Sequence, residues 1–335
     1  MAKKRVVVLM GGASSEHEVS MASGQKVVES LASAQYDVVP VTITREGLWV
    51  FPGKEPVRIY QAIAGLDALA ADCVFLALHG AFGEDGRIQG LLDLLGLPYT
   101  SSGCAASALA IDKLRSKALV RDAGVRVAKH VVVAAAEWKA DSAGIVSRLE
   151  AGLGLPCVVK SPCQGSSVGL AIPRSVAELE SAIETIFSFG DVLMIEQYVA
   201  GTEVTCAVLD VERVSHPVAL PVTEIRPVTS PYFDYYAKYT PGASREITPA
   251  EISPDATSRV QEIAVRAHTV VGCGIWSRSD FIIDAAGPVW IEINTIPGMT
   301  PTSLYPQAAA AAGIPYEQLV GMFVEAAIAR KRLEG

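Results

Sequence analysis

The chain has 335 residues, half of them apolar and only 7% aromatic, which is too long for one ordinary core and too apolar for a disordered chain; two or three packed α/β lobes are expected. Its formal net charge is −8, with both signs spread along the chain and no basic run, so no nucleic-acid partner is expected. An anionic nucleotide needs only a local gathering of lysines and arginines.

Val6–Met10 is a continuous apolar run ending in Gly11-Gly12, as in a buried parallel strand that enters a tight turn. It is too short for a signal-peptide core, and no run approaches a membrane span, so a cytoplasmic protein with no membrane partner is expected. Residues 18–33 read as a helix with Ser20 as its cap, and Val38–Ile43 and Cys73–Leu78 as further strands with helical stretches between and after them. Strands alternating with helices imply an open parallel sheet. This first lobe ends near Leu97-Pro98-Tyr99-Thr100. Asp112–Ala123 reads as a helix stopped by Gly124, Val131–Val133 as a strand, and residues 142–151 as a helix. Pro156 precedes the strand Cys157–Lys160 and the small-residue loop Gln164-Gly165-Ser166-Ser167-Val168-Gly169. Val192–Glu196 and Val204–Val208 are expected as strands of a third lobe. Residues 223–245, rich in tyrosine and proline, read as a long functional loop. A helix over 255–271, a hairpin of Phe281–Ile283 with Val289–Ile293, a helical alanine run at Ala308–Ala312 and an amphipathic helix over 316–332 complete the chain, with no internal repeat. Cys73, Cys104, Cys157, Cys163, Cys206 and Cys273 form no Cys-x-x-Cys pair and mostly sit in apolar stretches, the pattern of buried reduced thiols.

The hairpin carries the most chemistry. Strands alternate their faces, so Asp280 shares a face with Arg278 and Glu292 shares one with Asn294. A symmetric hairpin centred near Ala286 sets Asp280 opposite Glu292 and Arg278 opposite Asn294, and opposite residues point the same way. Phe281, Ile283, Ile291 and Ile293 then occupy the other face. Two carboxylates and a carboxamide are oxygen ligands suited to Mg²⁺ shared with phosphates, and Arg278 suits a negative transition state. A one-residue slip of register would undo the arrangement. The sequence lacks the G-x-x-x-x-G-K-[ST] phosphate loop. Lys160 instead ends an apolar strand and is followed by Gly165-Ser-Ser-Val-Gly169, whose glycines and hydroxyls can bring donors to phosphate oxygens.

In chain order, Gly11-Gly-Ala-Ser-Ser-Glu-His-Glu-Val-Ser20, Leu78-His-Gly80 with Gly83-Glu-Asp-Gly86, and Ala110-Ile-Asp-Lys-Leu-Arg-Ser-Lys117 stand in the first third. They are followed by Val159-Lys160 with the Gly165–Gly169 loop, by Tyr235-Tyr-Ala-Lys-Tyr239, and by Glu292-Ile-Asn-Thr-Ile-Pro-Gly-Met-Thr300 with Ser303-Leu304. Together these stretches resemble the ATP-grasp superfamily and, within it, the D-alanine–D-alanine ligases, collinearly over nearly the whole chain. The resemblance implies three α/β lobes, an N-terminal open parallel lobe over 1–105, a central ATP-grasp lobe over 106–190 and a C-terminal one over 191–335. It implies a homodimer, with ATP held between the second and third lobes. The implied reaction has two steps: a D-alanine carboxylate takes the γ-phosphate of ATP, and the amine of a second D-alanine displaces phosphate from the acyl carbon. Positioning and charge neutralisation carry such chemistry.

Residue by residue, the resemblance implies Asp280, Glu292 and Asn294 as ligands of two Mg²⁺ ions replaceable by Mn²⁺. It places Lys113, Lys160, Ser167 and Lys238 on the ATP phosphates. Glu196, Gln197, Tyr198 and Val199 correspond to the adenine-contacting hinge, and Glu203 to the ribose carboxylate. Arg278 and the Gly298 backbone correspond to the oxyanion site. Glu16 matches the partner of the first D-alanine's ammonium, with Ser166 and Tyr239 as a hydrogen-bond relay to it. Ser303 and Leu304 match the pocket of the second D-alanine, and His79 borders the substrates. Glu18, Glu84 and Asp85 are read as structural or solvated charges. Lys160-Ser161-Pro162 departs from a family pattern in which proline follows the lysine directly, and Gln164 stands where glutamate is frequent; both touch loop geometry and ATP affinity. The neighbouring readings are a D-alanine–D-lactate ligase, which Lys238-Tyr239 disfavours, another ATP-grasp ligase, and a nucleotide-binding regulator with a decayed site, which the intact Arg278, Asp280, Glu292 and Asn294 disfavour.

Overall fold

The structure is a computed structural model and describes residues 3–33, 36–165, 169–211, 216–228, 240 and 242–334. The first lobe runs β1 (Lys4–Gly11), α1 (His17–Ser33), β2 (Tyr36–Ile43), β3 (Trp49–Val50), α2 (Ile59–Ala68), β4 (Cys73–Leu76) and α3 (Arg87–Leu94). Its sheet has the order β3-β2-β1-β4, with β1 parallel to both β2 and β4 and β3 an antiparallel edge. Val6–Leu9 and Cys73–Leu76 are wholly buried, as the strands of a parallel sheet covered on both faces must be. Residues 98–100 extend the sheet: Val74 N donates to Pro98 O at 2.8 Å and Thr100 N to Val74 O at 3.1 Å. Ser20 is not a cap. It lies inside α1, where its hydroxyl accepts from Gly11 N at 2.8 Å and donates to Ala77 O at 2.7 Å, tying the helix to the ends of two strands.

α4 (Cys104–Ile111) and α5 (Lys113–Asp122) follow, and Asp112 caps α5 by accepting from Leu114 N and Arg115 N. The central lobe holds β5 (His130–Ala134), α6 (Ala135–Ala140), α7 (Ser142–Gly152), β6 (Cys157–Lys160), β7 (Leu170–Ala171), α8 (Val176–Ile186) and β8 (Val192–Gln197). Its sheet has the order β5-β8-β6-β7 and is antiparallel throughout. The strand expected in the third lobe at Val192–Glu196 is thus an inner strand of the central sheet, between β5 and β6.

The third sheet is built from β9 (Thr202–Asp210), β10 (Val218–Ala219), β11 (Thr223–Pro227), β12 (Ser244–Ile247), β13 (Ile275–Asp284) and β14 (Gly287–Asn294), in the order β12-β11-β9-β13-β14 with β10 on β9. The ends of the segment read as one long loop are therefore paired strands, Thr223–Pro227 with Ser244–Ile247. Residues 229–239 and 241, which include Lys238 and Tyr239, lie outside the described residues. α9 (Pro254–Val271), α10 (Leu304–Ala311) and α11 (Tyr316–Glu334) complete the chain.

Three cores hold these sheets, and they cut across the expected boundaries. The central lobe has its own, from Val133 and Trp138 to Leu193 and Ile195. α4 and α5, expected in the central lobe, contribute Ala110 and Val120 to the core that the third sheet shares with α9. The largest core joins the first sheet to the edge of the third and to α10 and α11. At its centre the ring of Trp276 stacks on Phe323 with centroids 4.6 Å apart and meets Tyr305 edge-on at 5.1 Å. The Trp276 indole N–H donates to Thr100 O at 2.7 Å. Of the cysteines, Cys73, Cys157 and Cys206 are buried and all six are unpaired, but Cys163 is exposed rather than buried.

Because Trp276 joins two lobes in one core, Trp276→Ala is expected to cost about 3–5 kcal/mol, the scale for emptying a buried aromatic site. Denaturant unfolding monitored by far-ultraviolet circular dichroism checks this, and a loss below about 1 kcal/mol would exclude a central role for this ring.

Candidate active site

The β13–β14 pairing sets Arg278 against Asn294 and Asp280 against Glu292, as face alternation predicts, but by a different route. The turn pairs Asp284 with Gly287, and from there Phe281 pairs with Trp290. A bulge between Asp280 and Phe281 then shifts the register, with Ile291 as the extra residue on β14. Phe281, Trp290 and Ile293 enter the core while Ile291, expected on the core face, lines the cleft beside Glu292.

The polar face is tightly joined. Arg278 grips Asp280 through two parallel bonds, Nε to Oδ1 at 2.9 Å and Nη2 to Oδ2 at 3.0 Å. Thr205 Oγ1 on β9 donates to the same carboxylate at 2.7 Å, and the Asn294 amide at 3.3 Å. Lys113 Nζ lies 3.1 Å from Glu292 Oε2 and donates to Gln164 O at 2.8 Å. The first residue of α5 thus connects the carboxylate hairpin to the loop that follows Lys160, and its backbone N–H donates to Pro162 O at 3.1 Å. Among the described residues no three His, Cys, Asp or Glu converge as a metal cage. Two carboxylates and one carboxamide on a shared face fit instead a hard cation that takes its remaining oxygens from phosphate and water.

Between the central and third sheets lies a cleft of about 480 Å³. Lys113, Lys160, Asp280 and Glu292 line one end, and Gln197, Tyr198, Val199 and Glu203 line the connection between the two sheets. Glu196 stands in the wall between them, 3% exposed. Both of its carboxylate oxygens are taken, Oε1 by Lys117 and Oε2 by Lys160. Sequence reasoning passed over Lys117, although its spacing of four from Lys113 puts both on one face of α5. Burial, and then the Lys160 charge, pull Lys117 below the ordinary lysine range, and contact with the Glu196 carboxylate works the other way.

In the first lobe Glu16 is 7% exposed. A Cβ on Gly80 would stand 2.7 Å from its Oε2 and one on Gly165 2.9 Å, and Gly80 has a φ of +69°, so the backbone approaches this carboxylate closely at both glycines. His79 is buried, with Nδ1 3.0 Å from Ile296 O and Nε2 3.2 Å from Ser23 Oγ; it ties the first lobe to the segment that leads to Gly298, and burial pushes its pKa down. Glu84, read as a structural or solvated charge, is structural. It accepts from Gly80 N at 2.8 Å and from Ile296 N at 3.0 Å, and burial together with the charge of Glu16 pushes it up to about 8. Ser303 Oγ accepts from Thr300 N at 3.0 Å, and a Cβ on Gly298 would stand 2.8 Å from it, so Gly298 and Ser303 are neighbours. Leu304 is buried against Ile225. Ser166 and Ser167, with Lys238 and Tyr239, lie outside the described residues.

The same chain matches known proteins over nearly its full length. Residues 5–65 and 54–102 match the family described as D-ala D-ala ligase N-terminus, and residues 119–325 match D-ala D-ala ligase C-terminus. The D-alanine–D-alanine ligase of Halalkalibacterium halodurans is 41% identical over 96% of this chain and 98% of its own length, and that of Syntrophobacter fumaroxidans 43% identical over 97% and 98%. Among solved structures, the D-alanine–D-alanine ligase of Bacillus anthracis complexed with ATP superposes with a TM-score of 0.80 at 32% identity, covering 100% of both chains. The VanG D-Ala:D-Ser ligase of Enterococcus faecalis superposes with a TM-score of 0.84 at 32% identity, over 97% of this chain and 99% of that one. With two sheets enclosing a lysine-lined cleft and a carboxylate hairpin at its end, the chain has the ATP-grasp fold and belongs to the D-alanine–D-alanine ligase family.

Proposed function

We propose that this protein joins two D-alanines into D-alanyl-D-alanine at the expense of ATP, for the assembly of peptidoglycan precursors. The observation that carries the reading is the single polar face of Arg278, Asp280, Glu292 and Asn294, joined through Lys113 to the phosphate loop at the end of the cleft. The Glu196–Val199 connection receives adenine, Glu203 receives the ribose, and Lys113, Lys160, Ser167 and Lys238 receive the phosphates. Asp280, Glu292 and Asn294 would hold Mg²⁺, as two ions with Mn²⁺ as a substitute, and the ions would offset the negative charge of the phosphates. Glu16 pairs with the ammonium of the first D-alanine and leaves its carboxylate to attack the γ-phosphate. D-alanyl phosphate and ADP result.

The second D-alanine lies with its carboxylate at Ser303, where the N-terminus of α10 adds a favourable dipole, and with Leu304 beside it. His79 borders both substrates. The free amine adds to the acyl carbon, Arg278 and the Gly298 N–H hold the oxyanion that forms, and phosphate leaves as the carbonyl is restored. The added amine gives up its proton to the departing phosphate, which leaves as hydrogen phosphate. Ser166 and Tyr239 link Glu16 to the acceptor side. The protein acts as a homodimer in the cytoplasm, without nucleic acid or membrane; among the described residues no helix is long and apolar enough to cross one.

Phosphate release from ATP is expected to require D-alanine, with a product of the mass of D-alanyl-D-alanine. Phosphate release without D-alanine, or dependence on a different D-amino or D-hydroxy acid, would replace the substrate assignment. Glu292→Gln removes a charge with little change of shape and is expected to lower turnover about a hundredfold or more, the scale of lost electrostatic preorganisation. Steady-state rates at limiting and saturating Mg²⁺ test this; wild-type turnover at both would remove Glu292 from the metal site. Tyr239→Phe deletes one hydroxyl and is expected to keep dipeptide synthesis while gaining D-alanyl-D-lactate. Product separation after supply of ATP, D-alanine and D-lactate decides, and a variant that makes no depsipeptide between about pH 6 and 9, around the acceptor amine's titration, moves acceptor choice to Ser303 and Leu304.

A further inference from the structure

The wall of the cleft holds one positive charge more than phosphate binding accounts for. Lys117 is fully buried on α5, and among the described residues its ammonium has one ion-pair partner, Glu196 Oε1. It does not line the cleft, whereas Lys160 and Glu196 do. A lysine that does not line the cleft, kept where burying its charge is costly, acts through the group it pairs with. That group is shared, because Lys160 holds the other oxygen of the same carboxylate.

We propose that Lys117 is a positioning residue for purine selection: it keeps Glu196 ionised and in place when Lys160 engages nucleotide phosphate, so that a base with an amino group at position 6 is taken and one with a carbonyl there is refused. The inference rests on the reading of Glu196 as part of the base-contacting hinge. An ionised carboxylate only accepts hydrogen bonds. The 6-amino group of adenine donates to it, while the 6-carbonyl of hypoxanthine or guanine sets acceptor against acceptor in a buried place. With Lys117 neutral, Glu196 has a single counter-charge. When Lys160 engages phosphate, Glu196 is driven to take up a proton, and a carboxylic acid can donate to a carbonyl as well as accept from an amine.

The test compares kcat/KM for ATP and inosine triphosphate in wild type, Lys117→Met and Glu196→Gln. The wild type is expected to prefer ATP by about a hundredfold or more, as a site built around one hydrogen bond does. Both variants are expected to lose about tenfold or more of that preference, the scale of a hydrogen bond to a charged group. A structural lysine would lower stability and leave the ratio alone. An unchanged ratio in Lys117→Met beside a relaxed one in Glu196→Gln overturns the role of Lys117 and spares the hinge. An unchanged ratio in both, or a wild type that uses the two nucleotides equally, overturns the hinge reading and this inference with it. If Lys117→Met does not fold, infrared difference spectra of the ADP-bound wild type carry the test, with the Glu196 band identified against Glu196→Gln. An ionised carboxylate band is expected, and a protonated carboxyl band overturns the proposal.

Discussion

Asp280 and Glu292 share a face because β14 carries one residue more than β13 between their pairing and the turn. Counted from the two-residue turn alone, Glu292 would stand opposite Ser279, which is wholly buried, and its carboxylate would point into the apolar layer that holds Phe281 and Trp290. The bulge at Ile291 turns it back. The Lys113 ion pair with Glu292 and the Asn294 amide beside Asp280 both depend on that one residue. Bulges of this kind re-aim side chains next to active sites at the cost of local pairing, and here the re-aimed side chain is a carboxylate that has no other acceptable place.

The second constraint is electrostatic. Lys117, Lys160 and Glu196 are all at least nine-tenths buried, and none of them is tolerable there alone. Helix α5 supplies one member, strand β6 a second and strand β8 a third. The group therefore forms only when the helix that packs on the third sheet meets the central sheet. The cleft is accordingly a junction of two separately cored lobes, with its charges shared between them. The junction of the first and third lobes is different. The first and third lobes share a core around Trp276, Tyr305 and Phe323, and His79 and Glu84 fasten Ile296 to the loop that begins at His79. Glu16, Gly80 and the segment before Gly298 are thereby held in one body.

Much of this was legible in the residues. Period two along the hairpin put four polar side chains on one face, continuous apolar runs marked the parallel strands, and Asp112 and Gly124 bounded α5. Those features are local: one element's periodicity or one cap's chemistry is enough to read them. The collinear motifs pointed to the family, which full-length relatives and matching structures bear out. The right pairing of Asp280 with Glu292 came from a turn centre one half-residue off, offset by a bulge that no local rule announced.

What the sequence by itself determined is most of the long helices and strands, the chemistry they carry and the family. Tertiary structure alone decided which sheet β8 joins, that Ser20 fastens a helix instead of capping it, that Ile291 faces the cleft, and that Lys117 and Glu84 join segments far apart in sequence. The physical reason is range. Periodicity and capping act within about a turn of helix or a few residues of strand, whereas a polar group taken out of water is satisfied by a partner that only folding brings near: Lys117 and Glu196 stand 79 positions apart, and Glu84 and Ile296 212.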